Sequence, residues 1–474
     1  MEQPEPPGTP TDAPADWSEP ERLLWAVYRR GGWLDLREKH DDPAQGHEWD
    51  ESRIIRDVVI ERLLLHGPEA HPGHTARLRL AGARITGEVD LSDCRVDTSI
   101  ILAGCSFEQP LNLTDSELHS AILAYSHLPG LNADHAHLAR SLNMRQATCT
   151  GEIRLRGAHI SGDLDLTGAT LINPHGDRTA LALDRATING DLFADKGFTA
   201  TGQVRLPSAH IGGDLVLVGA TLTHPDGVAL TLVDAQIARL ILRPHRESRG
   251  LINLRDARVG RFIDDPRQWP EGCRVDLDGF SYDRLSRLSG DSDPVCSVEE
   301  RLAWMRAYST TTQRPSTTSK GRGEFSPTPY EQLAAALRRD GQERQARTVA
   351  RHREHLHHRA LGRLGTLWGI VQLATVGYGY APARALFWVL GVLGAGSAYF
   401  WLAGPLNPIK ADEHPTWNPF LYALDLLVPV LDLGHEKAWD PVGADLVVTM
   451  TLTVAGWVLV TAFAAGAART LKRQ

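Results

Sequence analysis

Three aspartates, Asp163, Asp191 and Asp214, each follow a glycine at matching points of a repeated pattern. Arg140 holds the corresponding point before them, and Arg239 and Arg261 hold it after them. If the repeats stack as coils, these six side chains form one corner column, about 5 Å apart per coil. Stacked carboxylates flanked by guanidiniums can bind a cation or a basic partner. The plainer reading is a solvated corner, where Asp follows a glycine of positive φ and neighbouring charges matter little.

The pattern that would position this column is clearest in GEIRLRGAHISGDLDLTGATL, from Gly151 to Leu171. Ile153, Leu155, Ala158 and Ile160 make one copy, and Leu164, Leu166, Ala169 and Leu171 the next. Alternation at period two means strands with one buried face. The small residue after each strand pair marks a tight inward bend, and repetition of the unit means a solenoid. The small position recurs at Ala83, Cys94, Cys105, Ser116, Ser126, Ala136, Ala147, Ala158 and Ala169, then with longer steps at Ala186, Ala209, Ala220, Ala235 and Ala257. The polar stretches at Asn173 to Asp177 and His224 to Gly227 read as loops bulging from turns. Two units per coil and about 4.8 Å per coil predict a mainly β rod of about nine coils over residues 78–280, on the order of 45 Å long.

Other chemistry is sparse. Five cysteines without a Cys-x-x-Cys pair read as small buried hydrophobes in a reducing compartment. His352, His355, His357 and His358 have spacings that can bind a metal. No carboxylate or cysteine at ligand spacing joins them, and the six arginines from Arg344 to Arg363 make this a basic juxtamembrane stretch. Thr375-Val-Gly-Tyr-Gly379 spells a potassium-filter sequence, but a filter needs a full span and a pore helix before it. Leu364 to Ala374 is too short to cross, so the motif reads as an interfacial turn. No G-x-G-x-x-G lies between a strand and a helix, and no paired His or grouped Cys suits haem or iron–sulfur clusters. No cofactor is therefore expected. A net charge of −8 gives no bulk attraction to nucleic acid.

Around the rod, residues 1–20 read as a disordered, Pro-rich tail without a signal peptide. Residues 21–75 read as a helical cap, including a helix from Ser52 as N-cap to His66. The solenoid is placed at 76–283. Residues 284–365 read as helix around Val298 to Tyr308, a Ser/Thr/Pro/Gly-rich linker, and a basic helical hairpin broken at Gly341. Residues 366–474 form a membrane domain with two uncharged spans, 385–404 and 446–468. Arginines before the first span and Arg469, Lys472 and Arg473 after the second place both termini in the cytoplasm. Residues 418–433 read as a helix lying on the outer membrane surface, with a re-entrant segment as the alternative.

Leu166-Thr-Gly-Ala169-Thr-Leu171 and Leu217-Val-Gly-Ala220-Thr-Leu222 resemble pentapeptide-repeat solenoids. The Ile-x-Gly-Asp steps at Ile160, Ile188 and Ile211 resemble bactofilin-type β-helices. From about Ser52 onward the chain resembles a bacterial family labelled "membrane-associated oxidoreductase". That resemblance implies membrane attachment and redox chemistry. The residues themselves favour a membrane-anchored solenoid that binds or scaffolds a protein partner and contacts membrane lipids, with no catalytic or metal residues.

Overall fold

The computed structural model describes residues 13–39, 41–173, 179–286, 296–309, 326–360, 382–409, 416–428 and 433–471. The Thr375–Gly379 motif, most of the Ser/Thr-rich linker, Arg363, and the Asn173 to Asp177 loop beyond Asn173 lie outside these residues. The chain divides into two compact units, Met1–Gln342 and Glu343–Gln474.

The first unit is a parallel β-solenoid of about 9 turns with helices at its ends. Its strands are short because each coil has four faces. In one coil these are His159–Ile160, Leu164–Asp165, Thr170–Ile172 and Thr179–Ala182. A 14-stranded sheet carries the first two faces and a 15-stranded sheet the other two. Every pairing within them is parallel, and each strand bonds the equivalent strand of the next coil. His159 pairs with His137 below and Thr187 above, for example.

Two corners of each coil are tight turns, and the sequence marks both. The residue just before the small position adopts a left-handed φ: Gly82, Gly104, Gly157 and Gly168, but also Asp93, Asp115, Tyr125, His135, Gln146, Arg185, Ser208, Asp234 and Asp256. A non-glycine there is strained unless its surroundings hold it. The small residue that follows turns inward and is buried at Ala83, Ala136, Ala158, Ala220 and Ala257, among others. Where it is serine, the hydroxyl is satisfied locally. Ser116 Oγ donates to Leu113 O at 2.7 Å, and Ser126 Oγ to Leu102 O at 2.9 Å.

Between Ala186 and Ala209 the alternation contains a turn that a search for small residues skips. Lys196 and Gly197 both take positive φ, and the inward position holds a fully buried Phe198. The next inward residue shrinks to match. Ala200 stacks on Leu171 below and Leu222 above. Volume moves from one position to its neighbour, and the core stays filled. The expected loop His224 to Gly227 is instead part of a long strand, Thr221–Thr231. Its register jumps between Thr223 and Val228, a bulge that leaves Pro225 and Asp226 exposed.

The solenoid starts earlier than its repeats. β1 (Leu34–Asp35) pairs with Arg79–Ala81, and β2 (Ile54–Arg56) pairs with Arg84–Thr86. Ser52 therefore does not cap a helix. It lies in a short 3-10 turn, and α2 (Asp57–His66) begins after β2. β-branched Ile54 and Ile55 cover what would be an open edge of the first coil. α1 (Glu19–Tyr28) is tied to β2 by buried Glu21, whose carboxylate accepts from Arg56 Nη2 at 2.7 Å, Arg56 Nε at 2.8 Å and Ser18 N at 2.9 Å. Burial raises the pKa of this carboxyl, but the Arg56 and Ser18 bonds outweigh it and hold it below the ordinary value. At the other end, α3 (Val298–Tyr308) brings Arg301 onto buried Asp264 at 2.7 Å and Trp304 onto Trp269 at 5.2 Å between ring centres. α4 (Thr328–Arg339) packs on the last strand, Ser281–Ser286, with Gln332 and Arg339 donating to Tyr282 O.

In the second unit, α5 (Glu343–Ala360) carries the basic face, with Arg344, Arg347 and Arg351 exposed. The expected hairpin thus has its two helices in different units. α6 (Pro382–Ala403), α7 (Pro419–Leu427) and α8 (Ala444–Leu471) pack together around Phe400, Tyr422, Leu426, Trp439 and Leu452. α8 is long and apolar enough to cross a membrane over Ala444–Thr461. The expectation of two such helices is corrected to one. The described apolar stretch of α6, Phe387–Ala403, spans 17 residues, about 25 Å at helical rise, short of a bilayer core of about 30 Å. α7 keeps Phe420 exposed and buries its other side. Tyr422, Ala423, Leu426 and Leu427 are buried between α6 and α8, and buried Asp425 accepts from Leu433 N and Glu436 N.

Two measurements follow. Ala158→Arg places a charge inside a corner with no space or partner, and should lower unfolding stability by about 3–5 kcal/mol in urea titrations. A neutral result would mean that Ala158 does not face inward. For Glu21, a lowered folded pKa contributes stability that is present above the unfolded value of about 4.3 and is lost as pH falls through the folded value. Glu21→Gln should therefore melt below the parent at pH 6, and the gap should close on acidification below about pH 4.3. A gap independent of pH would remove the ion pair as the anchor of α1.

Candidate functional site

The corner between the first and second faces holds the predicted column, with one exchange. Pairing of Leu142 with both Ala121 and Leu164 puts Ser141, not Arg140, on the line. Arg140 sits one residue earlier, exposed, with its carbonyl accepting from Gly162 N. The column runs Ser99, Ser120, Ser141, Asp163, Asp191, Asp214, Arg239, Arg261 and Arg284. Arg284 was missed because its repeat lies beyond the last small-residue mark. Continuing the Val259 to Arg261 spacing into Tyr282 to Arg284 would have found it.

The column is hydrogen-bonded along the rod. Ser120 Oγ meets Ser99 Oγ at 2.8 Å, and Ser141 Oγ accepts from Asp163 N at 3.0 Å. Asp163 Oδ1 accepts from Asp191 N at 2.9 Å, and Asp191 Oδ1 accepts from Asp214 N at 2.7 Å. Asp214 Oδ1 takes Arg239 Nε at 2.6 Å. Each carboxylate thus caps the coil above it. The glycines before the aspartates serve this packing and not a positive φ, which none of them has. A Cβ at Gly190 would land on Asp163 Oδ1 and Gly162 O, and one at Gly213 on Asp191 Oδ1 and Gly190 O. Through Oδ1 the half-buried aspartates therefore act as structural acceptors.

Four arginines elsewhere on the rod meet a carboxylate from a neighbouring coil. Arg205 pairs with Asp184 at 2.6 Å, Arg255 with Asp276 at 3.0 Å, Arg145 with Asp165 at 3.2 Å, and Arg154 with Asp134. A groove of about 330 Å³ runs along the first face beside Arg95, Glu117, His119, His137 and His159. Its His137 and His159 rings stack with centres 5.8 Å apart, and Arg95 is neutralised by Asp97 at 2.9 Å and Glu117 at 3.4 Å. Among the described residues no group of three or more His, Cys, Asp or Glu is placed to hold a metal ion.

The cysteines are all free. Burial pushes the Cys105 thiol up to about 12 and those of Cys149 and Cys273 up to about 11, so none of the three is a ready nucleophile. Among the described strands of the rod, turns lead from strand to strand, and no strand, glycine-rich loop and helix form a dinucleotide cradle.

Asp191→Ala should remove an acceptor from Asp214 N and lower stability by about 1 kcal/mol, while Asp191→Asn, which keeps the acceptor, should stay near the parent. Gly190→Ala should be worse than either. Equal melting temperatures for all three variants would show that the ladder holds nothing together.

No family model matches the sequence, and no solved structure matches it. Neither the oxidoreductase label nor a bactofilin assignment gains support from the comparisons. The UDP-N-acetylmuramate--L-alanine ligases of Bordetella parapertussis and Bordetella pertussis are 32% identical to the chain over 133 residues, which is 25% of this chain. The chain spans 28% of the length of these curated relatives, so the likeness does not place it in their family.

Proposed function

We propose that this protein is a membrane-anchored cytoplasmic solenoid that serves as a protein-binding or scaffolding module. The observation that carries the reading is the apolar exterior of the second unit. Phe387, Trp401 and Leu402 on α6 are 75%, 75% and 77% exposed. Val447, Met450 and Val454 on α8 are 64%, 60% and 63% exposed. Large apolar side chains facing outward along two helices that pack on each other fit lipid better than water. On this reading α6 also crosses beside α8, the bilayer thinning to meet its 17-residue apolar stretch Phe387–Ala403, and α7 is a re-entrant wedge between them. The basic flanks then hold both termini in the cytoplasm, where α5 meets anionic lipid. The solenoid contributes long, regular faces of the kind that bind protein partners. The oxidoreductase reading implied by the resemblance finds no residues suited to a cofactor.

The test is topological. The full chain should stay in the membrane pellet through an alkaline carbonate wash. Reporters before Met1 and after Gln474 should both read cytoplasm, and a tag near Pro415 should be labelled from outside. Release by carbonate would remove the anchor, and external labelling of the termini would remove the cytoplasmic role. A purified protein with flavin or haem absorbance would favour the redox reading instead.

A further inference from the structure

The upper end of the corner column differs from its lower part, whose side chains are hydrogen-bonded from coil to coil. Arg239 is the last arginine there with a carboxylate, Asp214. Arg261 and Arg284 continue the column one and two coils on. Arg258 stands three residues before Arg261, on the adjoining face. All three are exposed, and none of their side chains makes a hydrogen bond or ion pair among the described residues. Among the described residues, three nearby carboxylates each meet another arginine: Asp264 meets Arg301 at 2.7 Å, Asp283 meets Arg339 at 3.3 Å, and Asp265 meets Arg267 at 3.1 Å.

Like charges directly opposite on neighbouring strands are unfavourable. Arg261 and Arg284 face each other at about 5 Å, the strand spacing. Between Arg258 and Arg261 the coils approach closely, with the small residues Ala238 and Gly260 on successive coils. A Cβ at Gly260 would meet Ala238 O. Three exposed arginines thus stand about one corner of two adjacent coils. A tetrahedral anion with several oxygens can accept from two forks on adjacent coils and from a third across the corner.

We propose that Arg258, Arg261 and Arg284 form a binding site for a phosphate group. This goes beyond the scaffold reading and does not depend on it. The phosphate is that of a lipid headgroup or of a small soluble ligand, and the chemistry of recognition is the same.

The experiment uses the full chain in neutral detergent at low salt. Inorganic phosphate, short-chain phosphatidic acid and short-chain phosphatidylcholine are titrated calorimetrically. Phosphatidic acid or inorganic phosphate should bind, and the Arg261→Gln/Arg284→Gln double variant should weaken binding at least about tenfold, with the circular dichroism unchanged. Arg261→Lys, which keeps the charge but not the fork, should fall between. Arg140→Gln, exposed on the rod several coils away, should leave affinity as it was. Tight binding of phosphatidic acid alone assigns the site to a lipid headgroup, and equal binding of inorganic phosphate assigns it to a soluble ligand. The proposal is overturned if neither anion binds, if the double variant binds like the parent, or if Arg140→Gln weakens binding as much.

Discussion

Everything in the first unit depends on one constraint: the backbone of each coil must hydrogen-bond the coil beneath it at constant pitch. His159 N donates to Ala136 O and Thr187 N to Ala158 O, both at 2.8 Å, and the same link recurs along the rod. An extra residue within a coil must leave the ladder, as at the bulge between Thr223 and Val228. The tight corners return the chain to register, which is why they accept left-handed conformations even at Tyr125 and Arg185. Local strain of about 1–3 kcal/mol at such a residue is tolerated because pairing on both sides over-determines it.

That constraint turns side chains into columns, and columns have a chemistry that single residues lack. Inside, a change of size must be balanced within the same coil, as Phe198 and Ala200 do. Outside, a polar residue meets its own counterpart about 5 Å away, so a carboxylate column can persist only by finding donors. Asp163 and Asp191 find them in backbone N–H groups of the next coil, and Asp214 finds one in Arg239. The same ladder changes character along its length, from hydroxyls through carboxylates to guanidiniums. Its occupied half is structural, and its unoccupied basic end is where a ligand fits.

The ends of the rod show the same physics in another form. Open strand edges invite further pairing. At the start, α1 and α2 close the first coil, and Arg53 seals it, bonded to Gly82 O and Asp41 at 2.8 Å each and stacked over Trp49. At the finish, Arg301 and Asp264 form a buried pair that would be costly to break, and α4 lies against the last strand. In the second unit, small residues permit close approach instead. A Cβ on Gly456 of α8 would strike the backbone of Leu427, and one on Gly396 of α6 would press on Leu452.

The amino-acid sequence alone determined the solenoid, its small inward corners and most of its charged column, because a period-two alternation repeated every eleven residues has few other ways to bury its apolar face. It also located α3, whose capping box between Ser297 and Glu300 is purely local. What it left open was set by contacts between residues distant in the chain. Ser141 replaces Arg140 in the column because Leu142 pairs with Leu164, a register that local pattern leaves uncertain by one residue. Ile54 to Arg56 is a strand and not a helical turn because an exposed coil edge lies beside it. α7 is buried on Tyr422, Ala423 and Leu426 because two helices close over it. Only the tertiary structure showed that three aspartates are occupied and three arginines are not, since that depends on which backbone donor or carboxylate the stacking of coils brings within reach.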